Sequence, residues 1–261
     1  MKGIALRALV TAIAATLAAA ASAQDPRYQY RLEVRVKPGM TAQYEEYGKK
    51  IVEAAKKVQA QQWLGFQITA GGRGGVYAFV LPFEKWADRD SWISPAQMLV
   101  RAFGEVEGMK IASAGQALTE SSESVISELQ RDLSTKLDPS SGVAANYLVS
   151  RSHVKPDKVA DFRLALSKIR AAEAKAPASP SRIARRVIEG DRFLFSTATP
   201  FASGAARDQW PAFQEFMGAA YSDSEIRQIL ATLNGATESS QWYEAVFRPD
   251  LSHYTGPTST N

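Results

Sequence analysis

One feature constrains this chain above the rest: it repeats itself in a single register. Val36-Lys37-Pro38 recurs as Val154-Lys155-Pro156, Pro82-Phe83 as Pro200-Phe201, and Arg89-Asp90-x-Trp92 as Arg207-Asp208-x-Trp210. Thr119-Glu120-Ser121-Ser122 returns as Thr237-Glu238-Ser239-Ser240, and Asp132-Leu133-Ser134 as Asp250-Leu251-Ser252. The second member of every pair stands 118 positions after the first, as from 36 to 154 and from 132 to 250. Chance supplies one such match easily. Five on one gapless diagonal mean duplication, so the chain folds as two copies of one unit.

The unit can be read from its first copy. Tyr30, Leu32, Val34 and Val36 alternate with Arg31, Glu33 and Arg35, the period-two pattern of a half-buried strand. Lys37-Pro38-Gly39 closes it, and Thr41 can cap a helix whose apolar stripe is Tyr44, Tyr47, Ile51, Ala54 and Val58. Residues 63–69 and 76–81 read as two further strands, joined by the hairpin run Gly71-Gly72-Arg73-Gly74-Gly75. A second helical region runs from Ser94-Pro95 to about Leu118, with breaks predicted at Gly104 and Gly108, and residues 124–129 form the last strand. The order βαββαβ is the split βαβ arrangement of ferredoxin-like folds, which makes the chain α+β. The second copy predicts strands at 147–154, 182–189, 192–199 and 242–247. Its helices fall at 157–175 and 211–234, the latter broken near the capping box Ser222-Asp223-Ser224-Glu225. The predicted layout is repeat 1 over 27–135, a linker at 136–142, repeat 2 over 143–252 and a loose tail at 253–261.

Residues 1–23 are expected to be an address. Lys2 and Arg7 precede an apolar run, and Ala21-Ser22-Ala23 supplies the small-x-small site after which Gln24 begins the mature chain. That run is too short for a comfortable membrane span, and no other segment could cross a bilayer. The expected location is the periplasm or the exterior. Without Lys2 and Arg7 the chain carries 29 basic against 27 acidic residues, too balanced for a nucleic-acid surface. It has no cysteine, which excludes disulfides, thiolate metal sites and cysteine nucleophiles. It has two histidines, His153 and His253, which excludes a multi-histidine metal site.

Two tandem βαββαβ units, each with an available sheet edge, resemble the dimeric α+β barrel superfamily. In that group two ferredoxin-like domains pair sheet to sheet, between subunits or within one chain. The resemblance spans the whole mature chain and rests on element order and duplication. It implies an intrachain dimeric α+β barrel. The superfamily holds cofactor-free and haem-degrading monooxygenases, haem-dependent chlorite dismutases, dye-decolourising peroxidases and proteins without known activity, and fold alone does not choose among them.

Candidate site residues come from the repeat used as a filter. His153 stands on the first strand of copy two where copy one has Arg35, with Arg151 on the same face, a cation that would disfavour its protonation. It could ligate haem or simply line the barrel; in haem-dependent relatives the proximal histidine comes from a helix, and no histidine here lies on one. Leu32 and Val34 become Ser150 and Ser152, which could open a polar cavity near Asn146 or could mark a shifted register. Arg89 with Trp92, and Arg207 with Trp210, read either as paired ligand corners or as core plugs. Their presence in both copies favours the plugs. The resulting expectation is an exported binding or accessory protein for a small molecule, not catalytic, without a cofactor, monomeric or homodimeric. The alternative is a monooxygenase-like or haem-dependent oxidoreductase using the barrel cavity.

Overall fold

A computed structural model describes residues 26–71, 74–136, 142–256 and 258. The export segment 1–23 lies outside the described residues, as do Gly72 and Arg73 of the glycine run, residues 137–141 of the linker and part of the tail. The first repeat contains β1 (Tyr28–Val36), α1 (Thr41–Val58), β2 (Leu64–Ile68), β3 (Val76–Phe83), α2 (Pro95–Phe103), α3 (Glu105–Ala117) and β4 (Thr119–Leu129). The second contains β5 (Asn146–Val154), α4 (Val159–Lys175), β6 (Ile183–Glu189), β7 (Leu194–Phe201), α5 (Gly204–Asp208), α6 (Phe213–Gly218), α7 (Asp223–Ala236) and β8 (Thr237–Phe247). The bounds of β1, β3 and β4 recur in β5, β7 and β8 at the sequence offset, and so does the bulge before Val36 and Val154.

The eight strands close into one barrel in the order β1-β3-β2-β8-β5-β7-β6-β4, every ladder antiparallel. Each half keeps the ferredoxin-like order with its first strand in the middle. The seams are β2 on β8 and β4 on β6, so the edge that each half would expose is covered by the other. The expected intrachain barrel is the observed one. Among the described residues no helix is long and apolar enough to cross a membrane.

Alternation along each strand separates an inside from an outside. On the inside, Phe66, Ile68, Val76, Ala78, Tyr243 and Ala245 form an apolar cluster. Beside it Glu33 is buried between Arg31 at 3.4 Å and Arg151 at 3.2 Å. On the outside, helices cover each half-sheet: α1, α2 and α3 over the first, α4, α6 and α7 over the second.

Three local expectations change. The second helical region breaks at Gly104 but not at Gly108, which stays helical because α3 lies hard against α2. A Cβ at Gly108 would stand 2.5 Å from Val100 Cα. β4 and β8 begin at Thr119 and Thr237, well before their apolar residues. Their polar first halves are held as strand by the ladders to β1 and β5, such as Ser121 on Arg35 and Ser239 on His153, rather than by burial. α4 begins at Val159 after one 3-10 turn at Pro156–Lys158.

Candidate functional site

The faces of β5 divide the sequence-derived candidates. Tyr243, the cross-strand neighbour of Val149, is packed in the barrel interior, so Tyr147, Val149, Arg151 and His153 face inward. Ser150 and Ser152 therefore face outward, toward the helices. The four candidates on this strand, Ser150, Arg151, Ser152 and His153, do not form one site. Arg151 is committed to Glu33 across the barrel, with hydrogen bonding at 3.3 Å. His153 has Asp191 Oδ2 at 2.9 Å from Nε2 and Glu238 Oε2 at 2.8 Å from Nδ1. Its charged neighbours are two carboxylates, not a lone Arg151, and both nitrogens through which an imidazole would bind iron are occupied. The other histidine, His253, packs on Trp63 with ring centroids 5.4 Å apart, and burial holds its imidazole below the ordinary value.

Outside the barrel, between the second half-sheet and α4 and α7, lies a partly enclosed cleft of about 230 Å³. Ser150, Ser152, Thr197, Ser240, Asn234 and Arg170 give it polar groups. Phe162, Leu166, Phe195 and Leu233 give it an apolar wall. The alternative oxidoreductase reading of the sequence used the barrel cavity; the cleft is on the opposite side of the sheet. Ser150 and Ser152 line it, and Asn146 does not.

The reason for the cleft is visible in the first repeat, which lacks it. The counterparts of Ser150, Ser152, Phe195 and Thr197 are Leu32, Val34, Tyr77 and Phe79, which pack together under Tyr44 and Tyr47. Three truncations, Leu32 to Ser150, Val34 to Ser152 and Phe79 to Thr197, remove side-chain volume from the sheet side in copy two, while Leu166 and Leu233 stand where copy one has Gly48 and Gly115.

Arg170 is the one charged group on the lining. It replaces Val52, a buried core residue of α1. Its Nη1 donates to Glu173 Oε2 at 2.8 Å, while Arg182 Nε donates to Glu173 Oε1 at 2.6 Å and Arg182 Nη1 to Thr199 at 2.7 Å. Two guanidinium groups thus share one carboxylate, itself 1% exposed. Burial, followed by the repulsion of Arg182, pulls the Arg170 guanidinium below its ordinary value, yet a guanidinium remains charged in a protein. Its Nε is buried without a hydrogen-bond partner. A buried cation with spare donor capacity beside hydroxyls and an apolar wall suits a small organic anion. Sequence reasoning missed Arg170; the signal was a charged residue at a position where the other copy keeps valine.

The two Arg-Trp corners are built alike. Arg89 lies over the rings of Phe83, Trp86 and Trp92 at 5.9, 5.4 and 5.6 Å, and Arg207 over Phe201 and Trp210 at 5.8 and 5.9 Å. Arg207 also pairs with Glu244. The hollow over Trp86, Arg89, Asp90 and Trp92 is wide open to solvent. Neither corner contributes a residue to the cleft. Trp210 also lies beside Arg182, which is 5.6 Å from the ring.

Haem, which one branch of the resembled superfamily uses, does not fit this site. The cleft lining has no histidine, cysteine, methionine or tyrosine to bind iron, and His153 is turned to the other face of the sheet.

No family model and no curated protein sequence matches the chain. Solved structures do. A candidate monooxygenase from Lactobacillus acidophilus NCFM superposes with a TM-score of 0.50 at 10% identity, over 85% of this chain and 94% of that one. An anthrone oxidase-like protein gives 0.49 at 14% identity, over 92% and 99%. The chlorite dismutase of Candidatus Nitrospira defluvii gives 0.47 at 7% identity, over 85% and 91%. At such identities the likeness is one of fold: this chain is a dimeric α+β barrel completed within a single polypeptide.

Proposed function

We propose that the helix–sheet cleft of the second repeat binds a small organic anion with an apolar body, and that the bound anion is oxidised by dioxygen in a monooxygenase-type reaction. The observation that carries the binding is Arg170, a buried cation on the cleft lining that shares Glu173 with Arg182, at a position where the first repeat packs Val52. Buried charge without a full counter-charge is costly, so a ligand anion gains what the fold leaves unbalanced.

The lining limits which substrates such a reaction could take. It holds no carboxylate or imidazole to serve as a base. The substrate must therefore be acidic enough to ionise beside Arg170, as an enol, a phenol or an activated methylene is. An anion of that kind can pass an electron to dioxygen. For a methylene the net change breaks two C–H bonds, places one oxygen atom in a new carbonyl and releases the other as water. The Lactobacillus protein that shares the fold is named as a candidate monooxygenase, which makes oxygenation the first activity to assay.

The test uses octanoate as anionic probe and anthrone as an acidic-methylene substrate, on the wild type and Arg170→Met. The variant leaves Glu173 paired with Arg182 and should keep the fold by circular dichroism. Calorimetry should show octanoate binding that the variant weakens by about tenfold or more, the value of one charge-assisted hydrogen bond. Oxygen uptake with anthrone should fall in parallel. Equal octanoate affinity in the two proteins would remove the binding reading, and wild-type uptake no faster than in buffer would remove the oxidation.

We also infer export from residues 1–23; expressed at full length, the protein should begin at Gln24 by N-terminal sequencing, and retention of Met1 in the soluble extracytoplasmic fraction would contradict cleavage there.

A further inference from the structure

We infer that the anion taken by the cleft is aromatic and that Trp242 is the residue that selects it. The inference rests on the cleft being the binding site, and it adds the chemical class of the ligand's body.

Trp242 is 58% exposed, among the most exposed large apolar side chains of the described residues. Its sequence neighbour Tyr243 is packed inside the barrel, so alternation turns the indole to the helix side of the sheet. There its cross-strand partner is Ser150, and two residues back along β8 on the same face is Ser240. Both serines line the cleft. The indole therefore stands at the rim. Single exposed apolar residues need no explanation in general, but this one differs between the repeats as the cleft does. Its counterpart is Ser124, paired with Leu32, in the half whose cleft is filled. The other exposed tryptophan, Trp86, is packed against Tyr28 and Phe83 at 5.5 and 5.7 Å. Among the described residues no ring packs on Trp242.

The spacing suits a rigid, flat ligand. Trp242, Ser150 and Thr197 form one row across β8, β5 and β7, and the next row ends at Thr199, which Arg182 binds. Two strand spacings put about 10 Å between the backbones of Trp242 and Thr197, along the floor of the cleft. A fused two-ring carboxylate spans that length with its charge at Arg170 and a ring against the indole. A flexible chain of the same length reaches Arg170 and the apolar wall but gains nothing from the π-face of Trp242.

The experiment compares 2-naphthoate with octanoate by calorimetry on the wild type, Trp242→Ala and Arg170→Met. Trp242→Ala should weaken 2-naphthoate about five- to tenfold and change octanoate by less than about twofold. In a nitrogen–proton spectrum the Trp242 indole signal, assigned by its loss in the variant, should shift upfield with 2-naphthoate and stay in place with octanoate. If Trp242→Ala lowers both affinities alike, or neither, aromatic selection is wrong. Arg170→Met separates the two levels: loss of both ligands with an unaffected Trp242→Ala overturns this inference alone, whereas no effect of Arg170→Met overturns the binding site and this inference with it.

Discussion

At the scale of single residues, the cleft sits in what the duplication did not keep. Ser150, Ser152 and Thr197 are what the second repeat has in place of Leu32, Val34 and Phe79, and each exchange removes apolar volume and leaves a hydroxyl facing the gap. That is a poor exchange for stability and a useful one for a ligand. Restoring the first repeat's residues, Ser150→Leu with Ser152→Val, should raise stability by roughly 1–2 kcal/mol, seen as a higher midpoint of thermal unfolding, because the added side chains fill the cleft beside Phe162, Leu166, Phe195 and Leu233. The same variant should no longer bind octanoate. Retained binding would mean that the ligand sits elsewhere. The serine differences were legible in the sequence because they interrupt an alternating strand. Arg170 was not: a charged residue within α4 reads as part of a solvated helix face. Its burial depends on Glu173 on the same helix and on Arg182 just before β6, contacts that no local pattern announces. His153 misled in the opposite direction, since rarity of a residue type says nothing about which face of a strand it occupies.

At the scale of elements, the turns that end each repeat fasten it to the other. The 3-10 turn at Pro249–Leu251 packs on α1, and its equivalent at Arg131–Leu133 packs on α4. The polar half of each clasp has its own sign. Arg248 donates to Glu45 at 2.6 Å, to Gln67 at 3.0 Å and to both oxygens of Asp250. In the other clasp Arg163, at the position of Glu45, binds Gln130 and Asp132. The Arg248 hydrogen bonds hold the carboxyl groups of Glu45 and Asp250 below their ordinary values of 4.5 and 3.8. A lowered carboxylate pKa gives stability that is complete above the unfolded-state value and is lost as pH falls through the folded-state value. The protein should therefore hold its stability down to about pH 4.5 and weaken below it, and Arg248→Met should flatten that acid limb while lowering stability at neutral pH. Urea unfolding at a series of pH values reads both. An acid limb unchanged in the variant would show that other carboxylates set it. The repeated Asp-Leu-Ser triplets that first marked these turns were visible in the sequence, but the crossing between halves was not, because the residues that receive each turn lie in the opposite repeat.

At the scale of the whole molecule, closure of the barrel and asymmetry of its interior are one fact. β2 on β8 and β4 on β6 are equivalent seams, so the halves are related by a pseudo-two-fold axis. Glu33 and Arg151 are equivalent positions, and they meet. Residues that meet their own equivalents lie at such an axis, where two identical subunits would set like against like. In a fused pair the two sides can differ, and here they carry opposite charges in a buried place. The duplication made the ferredoxin-like halves and their barrel legible from sequence, because a 118-residue register survives any loop. The meeting of Glu33 with Arg151 was hidden, since only the assembled barrel brings the first strands of both copies face to face. Its consequence is a preference for the mixed pair. Expressed as separate chains, residues 24–136 and 142–261 should associate one to one, and the second alone should self-associate at least about tenfold more weakly, because self-pairing sets Arg151 against Arg151 with no Glu33 between them, whereas in the first Arg31 stays beside Glu33. Native mass spectrometry of the mixture measures the ratio. Neutralising the axis with Glu33→Gln and Arg151→Met should bring mixed and self-paired species toward the statistical proportion. If the unaltered halves already stand at that proportion, the charge pair is a passenger of the duplication, and the seams alone decide how the barrel closes.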